Sequence, residues 1–314
     1  MTLLIGTRGS ALALAQAGDI ANLITRVTGT ATRLVPVTTH GDISRESLAS
    51  LGGTGVFASA LREFMLRGEC DLVVHSLKDL PTAAYPGLSI GAIPARADAR
   101  DALCARDGLT LDTLPAGARV GTGSPRRAAQ VRERRPDIEV LDIRGNVDTR
   151  LGFVSSGEMD AVVLAAAGLG RLGRTAAITE YFELDVWPGA PAQGALGIEV
   201  RTESLGGDPA SASLRAALAA IEDTGAHAAA VAERAVLARL EAGCAAPIGA
   251  HAEVRESSLF LRAAVYAPDG SERLILDRES ALPVADLHVA AFALGRALAE
   301  DLLAAGADRI APLN

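Results

Sequence analysis

Gly68-Glu69-Cys70-Asp71-Leu72-Val73-Val74 returns further along the chain as Gly157-Glu158-Met159-Asp160-Ala161-Val162-Val163. A second echo precedes each of these stretches. Ile5-Gly6-Thr7-Arg8-Gly9-Ser10 leads into an alanine-rich helix with Gln16, and Val120-Gly121-Thr122-Gly123-Ser124-Pro125 leads into a similar helix with Gln130. Each copy reads strand, Gly-Thr turn, helix, strand, helix, strand. That alternation predicts an α/β fold of two similar lobes, each a mostly parallel sheet with helices on both faces. Such lobes usually face each other across a ligand cleft, with hinge segments here near residues 94–98 and 187–194. The first lobe is expected over residues 1–95 plus about 190–217, and the second over 96–189. A polar insertion at residues 40–56, containing Gly52-Gly53-Thr54-Gly55, lengthens the first copy and reads as a mobile loop.

From about residue 218 the pattern changes. Asp223 or Thr224 can cap a helix running through Glu241, with Gly243 as its stop. Strand-like runs follow at residues 250–255, 259–266 and 273–277, with Pro268-Asp269-Gly270 as the hairpin turn between the last two. A final amphipathic helix occupies roughly residues 284–304, so residues 218–314 form a small C-terminal α+β domain.

The 314 residues, 49% hydrophobic and 22% charged, suffice for two or three domains with real cores. No stretch approaches a membrane span. Leu3-Leu4-Ile5 runs directly into Gly6-Thr7 with no preceding basic region, so a cytoplasmic protein without a membrane partner is expected. Cys70, Cys104 and Cys244 lack CxxC spacing and suggest neither a disulfide framework nor a zinc site, and the five scattered histidines suggest no metal. A net charge of −8 argues against nucleic acid as a partner, so any anion must be held by local arginine clusters. Nothing here demands more than a monomer.

Lys78 is the only lysine among 30 basic residues. With Asp79 it ends an apolar run bounded by Gly68 and Pro81, which reads as a buried strand. Ligands of α/β sheets gather at such strand ends, although a surface ion pair would look the same in sequence. Asp79 can act as a general acid or anchor a substrate ammonium. Lys78 can form a Schiff base, but nothing else supports a pyridoxal cofactor. Ser124 and Pro125 open a helix, and Arg126 and Arg127 follow at once. Cations there oppose the helix dipole, yet two guanidinium forks beside the first-turn N–H groups make an anion site. Arg8 precedes the equivalent turn of the first lobe, where Ser10 is the cap. Arg144 and Arg150 bracket Gly145-Asn146-Val147-Asp148-Thr149, and Arg171 follows the last strand of the second lobe. Singly these read equally as solvated arginines. Together they describe a site for several carboxylates or phosphates. A nucleotide is disfavoured, because Gly52-Gly53-Thr54-Gly55 lacks a following Lys-Ser/Thr. Cys244 follows a helix C-terminus, whose negative end does not favour a thiolate. It suits a tether formed once with a strong electrophile better than a nucleophile; a buried free cysteine is the plain alternative.

Several motifs, taken in this order, resemble the porphobilinogen deaminase (hydroxymethylbilane synthase) family over essentially the full length. They are Thr7-Arg8-Gly9-Ser10 with Gln16, His75-Ser76-Leu77-Lys78-Asp79-Leu80-Pro81, Gly121-Thr122-Gly123-Ser124-Pro125-Arg126-Arg127, Ile143-Arg144-Gly145-Asn146-Val147, Gly168-Leu169-Gly170-Arg171-Leu172, Gln193-Gly194-Ala195 and the Cys244 turn. The resemblance implies a transferase of tetrapyrrole and haem biosynthesis. Its cofactor would be a dipyrromethane joined to Cys244 by a thioether, and its substrate porphobilinogen, four units of which are added head to tail with loss of ammonia before water releases hydroxymethylbilane. It also implies that Asp79 is catalytic, and that Lys78, Asp79, Ser124, Arg126, Arg127, Arg144 and Asn146 hold the cofactor. Arg8, Ser10, Gln16, Phe57, Arg144, Arg150, Arg171 and Gln193 would hold substrate, with Phe57 stacking on a pyrrole ring. The chain departs from the family pattern at Ser50 and Thr54, where many members have lysines, and at Gly123 and Pro125, which replace a serine and a leucine. The periplasmic-binding-protein-like pair of lobes is also shared with solute receptors and ligand-sensing regulators. A binding module explains the arginines and the duplication equally well, but not a third domain with a cysteine turn.

Overall fold

The computed structural model describes residues 2–37, 56–240, 246–283 and 286–313, without the side chains of residues 56 and 57. The insertion expected to be mobile, apart from its last residue, and residues 241–245 with Cys244 lie outside the described residues. The chain divides into two compact units, residues 1–96 with 195–227 and residues 97–194 with 228–314. The first unit contains β1 (Thr2–Arg8), α1 (Ala11–Thr28), β2 (Ala31–Val37), α2 (Val56–Leu66), β3 (Leu72–Ser76) and β4 (Leu88–Ala92). The second continues with β5 (Asp101–Ala105), β6 (Arg119–Gly121), α3 (Pro125–Arg134), β7 (Glu139–Leu141), α4 (Val147–Ser155), β8 (Ala161–Ala165), α5 (Ala166–Arg171) and β9 (Glu180–Tyr181). The chain then re-enters the first unit as β10 (Leu196–Arg201) and α6 (Ala212–Ile221). It ends with α7 (Thr224–Arg239), β11 (Ile248–Arg255), β12 (Ser258–Tyr266), β13 (Arg273–Ala281) and α8 (Leu287–Ala304). Among the described residues no helix is long and apolar enough to cross a membrane.

The duplicated heptapeptide has a physical meaning. Gly68 (φ +77°) and Gly157 (φ +78°) take the left-handed conformation that closes α2 and α4, which glycine adopts without a Cβ clash. The aspartate three positions on then grips the neighbouring parallel strand. The Leu4 N–H donates to Asp71 Oδ2 at 2.8 Å, and the Arg119 N–H donates to Asp160 Oδ2 at 2.7 Å. Each aspartate also donates its own N–H to the carbonyl of that residue, at 2.9 Å in both lobes. Helix end, strand register and sheet order are thus set by one repeated device.

The sheets have matching orders, β2-β1-β3-β10-β4 and β7-β6-β8-β5-β9. β1 pairs parallel with β2 and β3, and β6 with β7 and β8; β10 and β5 pair antiparallel with both their neighbours. The sheets are therefore evenly mixed instead of mostly parallel. The difference lies in the strand that enters each sheet from the other unit, β10 after residue 195 and β5 after residue 97. Both faces of each sheet are covered, which explains the unbroken apolar runs. Leu3, Ile5, Leu72 and Val74 pack with Ile20 and Ile24 of α1 and Leu214 and Leu218 of α6, while Val73 packs with Leu61 and Met65 of α2 on the other face.

The C-terminal strands form an antiparallel sheet in the order β11-β12-β13. β13 runs past the expected end to Ala281 because it pairs in register with β12 as far as Ser258. Asp223 is the cap of α7, its Oδ1 accepting from the Ala226 N–H at 2.8 Å. Val236 of α7 and Leu294, Leu298 and Leu302 of α8 share one core with Leu259, Leu261 and Val265 of β12. Ala264 and Tyr266 of β12 pack instead on Ala129 of α3, and Gln130 Nε2 donates to the Tyr266 hydroxyl at 3.1 Å.

Helices α7 and α8 approach so closely at Gly295 that a Cβ there would lie 2.2 Å from the Ala232 carbonyl oxygen. Gly295→Ala is expected to destabilise the protein by about 1–3 kcal/mol by forcing the helices apart, measured by urea unfolding.

Candidate functional site

In the first unit, Arg8, Ser10, Gln16, Lys78 and Asp79 fall at or just beyond the carboxyl ends of the parallel strands β1 and β3. Ser10 caps α1, accepting from the Ala13 N–H at 3.4 Å, and the buried Gln16 donates from Nε2 to Ser76 Oγ at 2.7 Å. Lys78 and Asp79 follow in a single 3-10 turn, Leu77–Asp79. Leu77 is buried where Gly197 lacks a side chain and donates its N–H to the Ala195 carbonyl at 3.0 Å. With Leu77 and Leu80 as buried anchors, Lys78 is left half-buried and Asp79 exposed. His75 points the other way, its Nε2 3.1 Å from Glu199 Oε2, and Glu199 also accepts two bonds to one oxygen from Arg62 of α2, at 3.0 and 2.8 Å. Burial would push the Glu199 carboxyl up, but His75 and Arg62 hold it below its ordinary value. His75 is thus a satisfied core histidine. Phe57 lies in α2, where its side chain is not described.

In the second unit Ser124 caps α3, accepting from the Arg127 N–H at 3.5 Å. The two arginines after it are buried around Asp101, a residue the motifs did not single out. Arg127 donates to Asp101 Oδ1 from Nε at 2.9 Å and Nη2 at 2.7 Å, and Gln193 Nε2 donates to the same oxygen at 2.8 Å. Arg126 Nη1 and Trp187 Nε1 donate to Oδ2 at 2.8 and 3.0 Å. Burial alone would raise the Asp101 carboxyl, but the two guanidiniums override it and hold the group well below the usual carboxylate range. Gln130 accepts from Arg126 Nη1 at 2.6 Å. Arg126 Nε finds no acceptor among the described residues.

Asn146 caps α4, its Oδ1 accepting from the Thr149 N–H at 2.8 Å and the Thr149 hydroxyl at 3.0 Å. Arg144 is exposed and donates to Asp142 Oδ2 at 3.1 Å, while Arg150 Nε donates to the Gly145 carbonyl at 2.9 Å. Burial lowers the Arg150 pKa, and the charges of Arg127 and Arg144 lower it further. Three cations therefore share one end of this lobe, which favours an incoming anion. Arg171 Nη2 donates to the Gly194 carbonyl at 2.9 Å, next to Gln193. At Gly123 a Cβ would lie 2.7 Å from the Ile143 carbonyl oxygen, so in this chain the turn is packed too tightly for the family's serine. Asp101, Asp142 and Glu199 were missed in the sequence, where Gln130 was named only as the counterpart of Gln16. For Asp101 the only signal is a carboxylate heading the otherwise apolar strand Asp101–Ala105.

Two mixed α/β lobes of matching strand order, with a small three-stranded antiparallel sheet domain added, define the class of this protein. Among solved structures it is similar to the methionine binding protein MetQ, at a TM-score of 0.46 and 10% identity over 70% of this chain and 89% of that one. Residues 3–206 match the family described as porphobilinogen deaminase, dipyromethane cofactor binding domain, and residues 227–304 match the porphobilinogen deaminase C-terminal domain. The porphobilinogen deaminase of Leifsonia xyli is 57% identical, covering 99% of this chain and 94% of its own. That of Thermobifida fusca is 52% identical, covering 98% and 94%. The chain belongs to the porphobilinogen deaminase family.

The second lobe fits a group rich in carboxylates such as the dipyrromethane of that family. Arg126 Nε lacks an acceptor among the described residues, and the charges of Arg127 and Arg144 both bear on Arg150. Asp101→Asn would leave both buried arginines without their counter-charge and is expected to cost about 3–5 kcal/mol of stability at pH 7. The Asp101 carboxyl titrates lower in the folded than in the unfolded protein, so its contribution is complete above about pH 4 and is lost as pH falls toward the folded value. Urea unfolding should show the gap between wild type and Asp101→Asn narrowing below about pH 4.

Proposed function

We propose that this chain joins four porphobilinogen units head to tail on a dipyrromethane held by a thioether to Cys244, releasing ammonia at each addition and finally hydroxymethylbilane by hydrolysis. The observation that carries the proposal is the arginine cluster of the second lobe. Arg126 and Arg127 are buried at the start of α3, with Arg126 Nε lacking an acceptor among the described residues. Arg150 is held at the Gly145 turn within reach of the charges of Arg127 and Arg144. Every pyrrole of such a chain bears an acetate and a propionate, and arginine forks bind carboxylates bidentately. Cys70 and Cys104 do not compete for the tether: both are buried, and burial pushes their thiols up to about 11 and about 12. When bound, the dipyrromethane supplies a nucleophilic pyrrole carbon and a fixed starting point.

The remaining chemistry belongs to side chains of this protein. Asp79, exposed at the end of its turn, holds the substrate ammonium, from which ammonia leaves, and then faces the positive charge left on the pyrrole nitrogen. Lys78, Ser124, Arg126, Arg127, Arg144 and Asn146 hold the cofactor. Arg8, Ser10, Gln16, Arg150, Arg171 and Gln193 hold substrate carboxylates and polar edges together with Arg144, and Phe57 stacks on a ring. A cytoplasmic site of action suits a protein whose cysteines must stay reduced before one of them is alkylated.

Intact mass tests the tether. The purified protein is expected to exceed its sequence mass by two linked pyrrole units, with no surplus in Cys244→Ser; a bare wild type that stayed bare after incubation with porphobilinogen would end the proposal. Asp79→Asn is expected to lower kcat by about 10²–10⁴-fold while KM changes little, read in steady-state assays.

A further inference from the structure

Ala192 is fully buried and has a φ of +62°, a conformation uncommon for a residue with a Cβ. Left alone, a buried alanine in this region costs about 1–2 kcal/mol. The backbone on either side keeps it there. The Gln193 N–H donates to the Ala190 carbonyl at 2.8 Å, and Gly194 (φ +87°) sits where a Cβ would lie 2.5 Å from the Ala97 carbonyl oxygen.

The Ala192 N–H has a distant partner. It donates at 2.5 Å to Oε2 of Glu233, a side chain with no solvent exposure on α7. The other oxygen, Oε1, accepts from the Ala252 N–H of β11 at 2.7 Å. One side chain thus ties together three segments: the helix leading into residues 241–245, the strand leaving them, and the turn of Gln193. A parallel tie runs from the Ala250 N–H to the Gly189 carbonyl at 2.9 Å. From the turn the connection continues inward, since Gln193 donates to Asp101 and accepts from Arg127 Nη2 at 3.2 Å. Besides these two backbone donors, Glu233 Oε1 lies 3.8 Å from His251 Nδ1. The glutamate's geometry couples both flanks of Cys244 to the Asp101 arginines.

We propose that Glu233 is a positioning residue for cofactor attachment: it holds the strained turn at Ala192 and the two flanks of Cys244 in one fixed relation, so that Arg126 and Arg127 are aligned for the group Cys244 carries. This rests on the function proposed above. Glu233→Gln presents an N–H₂ to one of two backbone donors and so breaks one of the two ties. Ala192→Gly removes the strain that the tie holds, and Leu276→Ala weakens the same C-terminal core from β13, a strand that neighbours neither β11 nor the Glu233 tie of α7.

Full-length proteins are freed of cofactor and incubated with porphobilinogen, and gain of the two-pyrrole mass is followed over time, with circular dichroism confirming folding at the assay temperature. Glu233→Gln is expected to load at least tenfold more slowly than wild type. Adding Ala192→Gly should recover most of that rate, and Leu276→Ala should load at the wild-type rate. Loading of Glu233→Gln at the wild-type rate, equal slowing in Leu276→Ala, or no recovery in the double variant would each overturn the proposal. Should Glu233→Gln fail to fold, Glu233→Asp, one methylene shorter, takes its place in the same comparison. Failure of wild type itself to load would instead remove the proposed function and leave Glu233 a purely structural clamp.

Discussion

The ion cluster at Asp101 is the constraint from which the second lobe is organised. Two arginines in the first turn of a helix are opposed by the dipole, by about 0.3–1 kcal/mol each at an exposed site. Burying them without a counter-charge would be far worse. Asp101 resolves both problems, with five donors on its two oxygens and essentially no water. Its partners come from α3, from the stacked ring of Trp187 (4.2 Å from Phe182) and from the turn of Gln193. Because α3 also packs on β12, the same cluster fixes where the C-terminal sheet meets this lobe.

The duplication supplies the frame. Asp71 and Asp160 make the same reciprocal bonds to Leu4 and Arg119, so the strand ends bearing Arg8 and Ser10 in one lobe correspond to those leading to Ser124 in the other. Equivalent frames then carry different chemistry. In the first lobe the third parallel strand ends in the turn of Lys78 and Asp79; in the second it runs into α5, which ends at Arg171. This difference falls at the strand ends, where changing a side chain leaves the core intact.

What could be read from the sequence follows from how local each feature is. The two lobes, the caps at Ser10, Ser124 and Asp223, and the hairpin at Pro268-Asp269-Gly270 depend on residues within a few positions of each other, so pattern and capping chemistry reveal them. The antiparallel course of β5 and β10 depends on which unit the strand comes from, and neither Asp101–Ala105 nor Leu196–Arg201 records that. The partners of Asp101 lie 25 and 92 positions away at Arg126 and Gln193, and Glu233 lies 41 from Ala192. An aspartate heading a strand, or a glutamate within an alanine-rich helix, reads as surface until the fold buries it. The motif arginines were legible as a group. Their division into buried and exposed members was not.

That division bears on how a protein can hold one anionic group permanently and pass another through. Arg126 and Arg127 are buried and already neutralised in part by Asp101, so their geometry is fixed before any ligand arrives and little is lost in ordering them. Such a site suits a group that never leaves. Arg144 is exposed, and Arg150 is half-buried. Exposed guanidinium–carboxylate pairs in water contribute only about 0–1 kcal/mol each. On the proposed function the growing chain adds carboxylates with every unit and must still be released as product. Weak, solvated arginines give many shallow attachments that can be exchanged one at a time; a row of deeply buried ones would trap the product. On the proposed function, Asp101 beneath Arg126 and Arg127 marks the permanent end of the site, Arg144 serves both groups, and Arg150 belongs to the transient end.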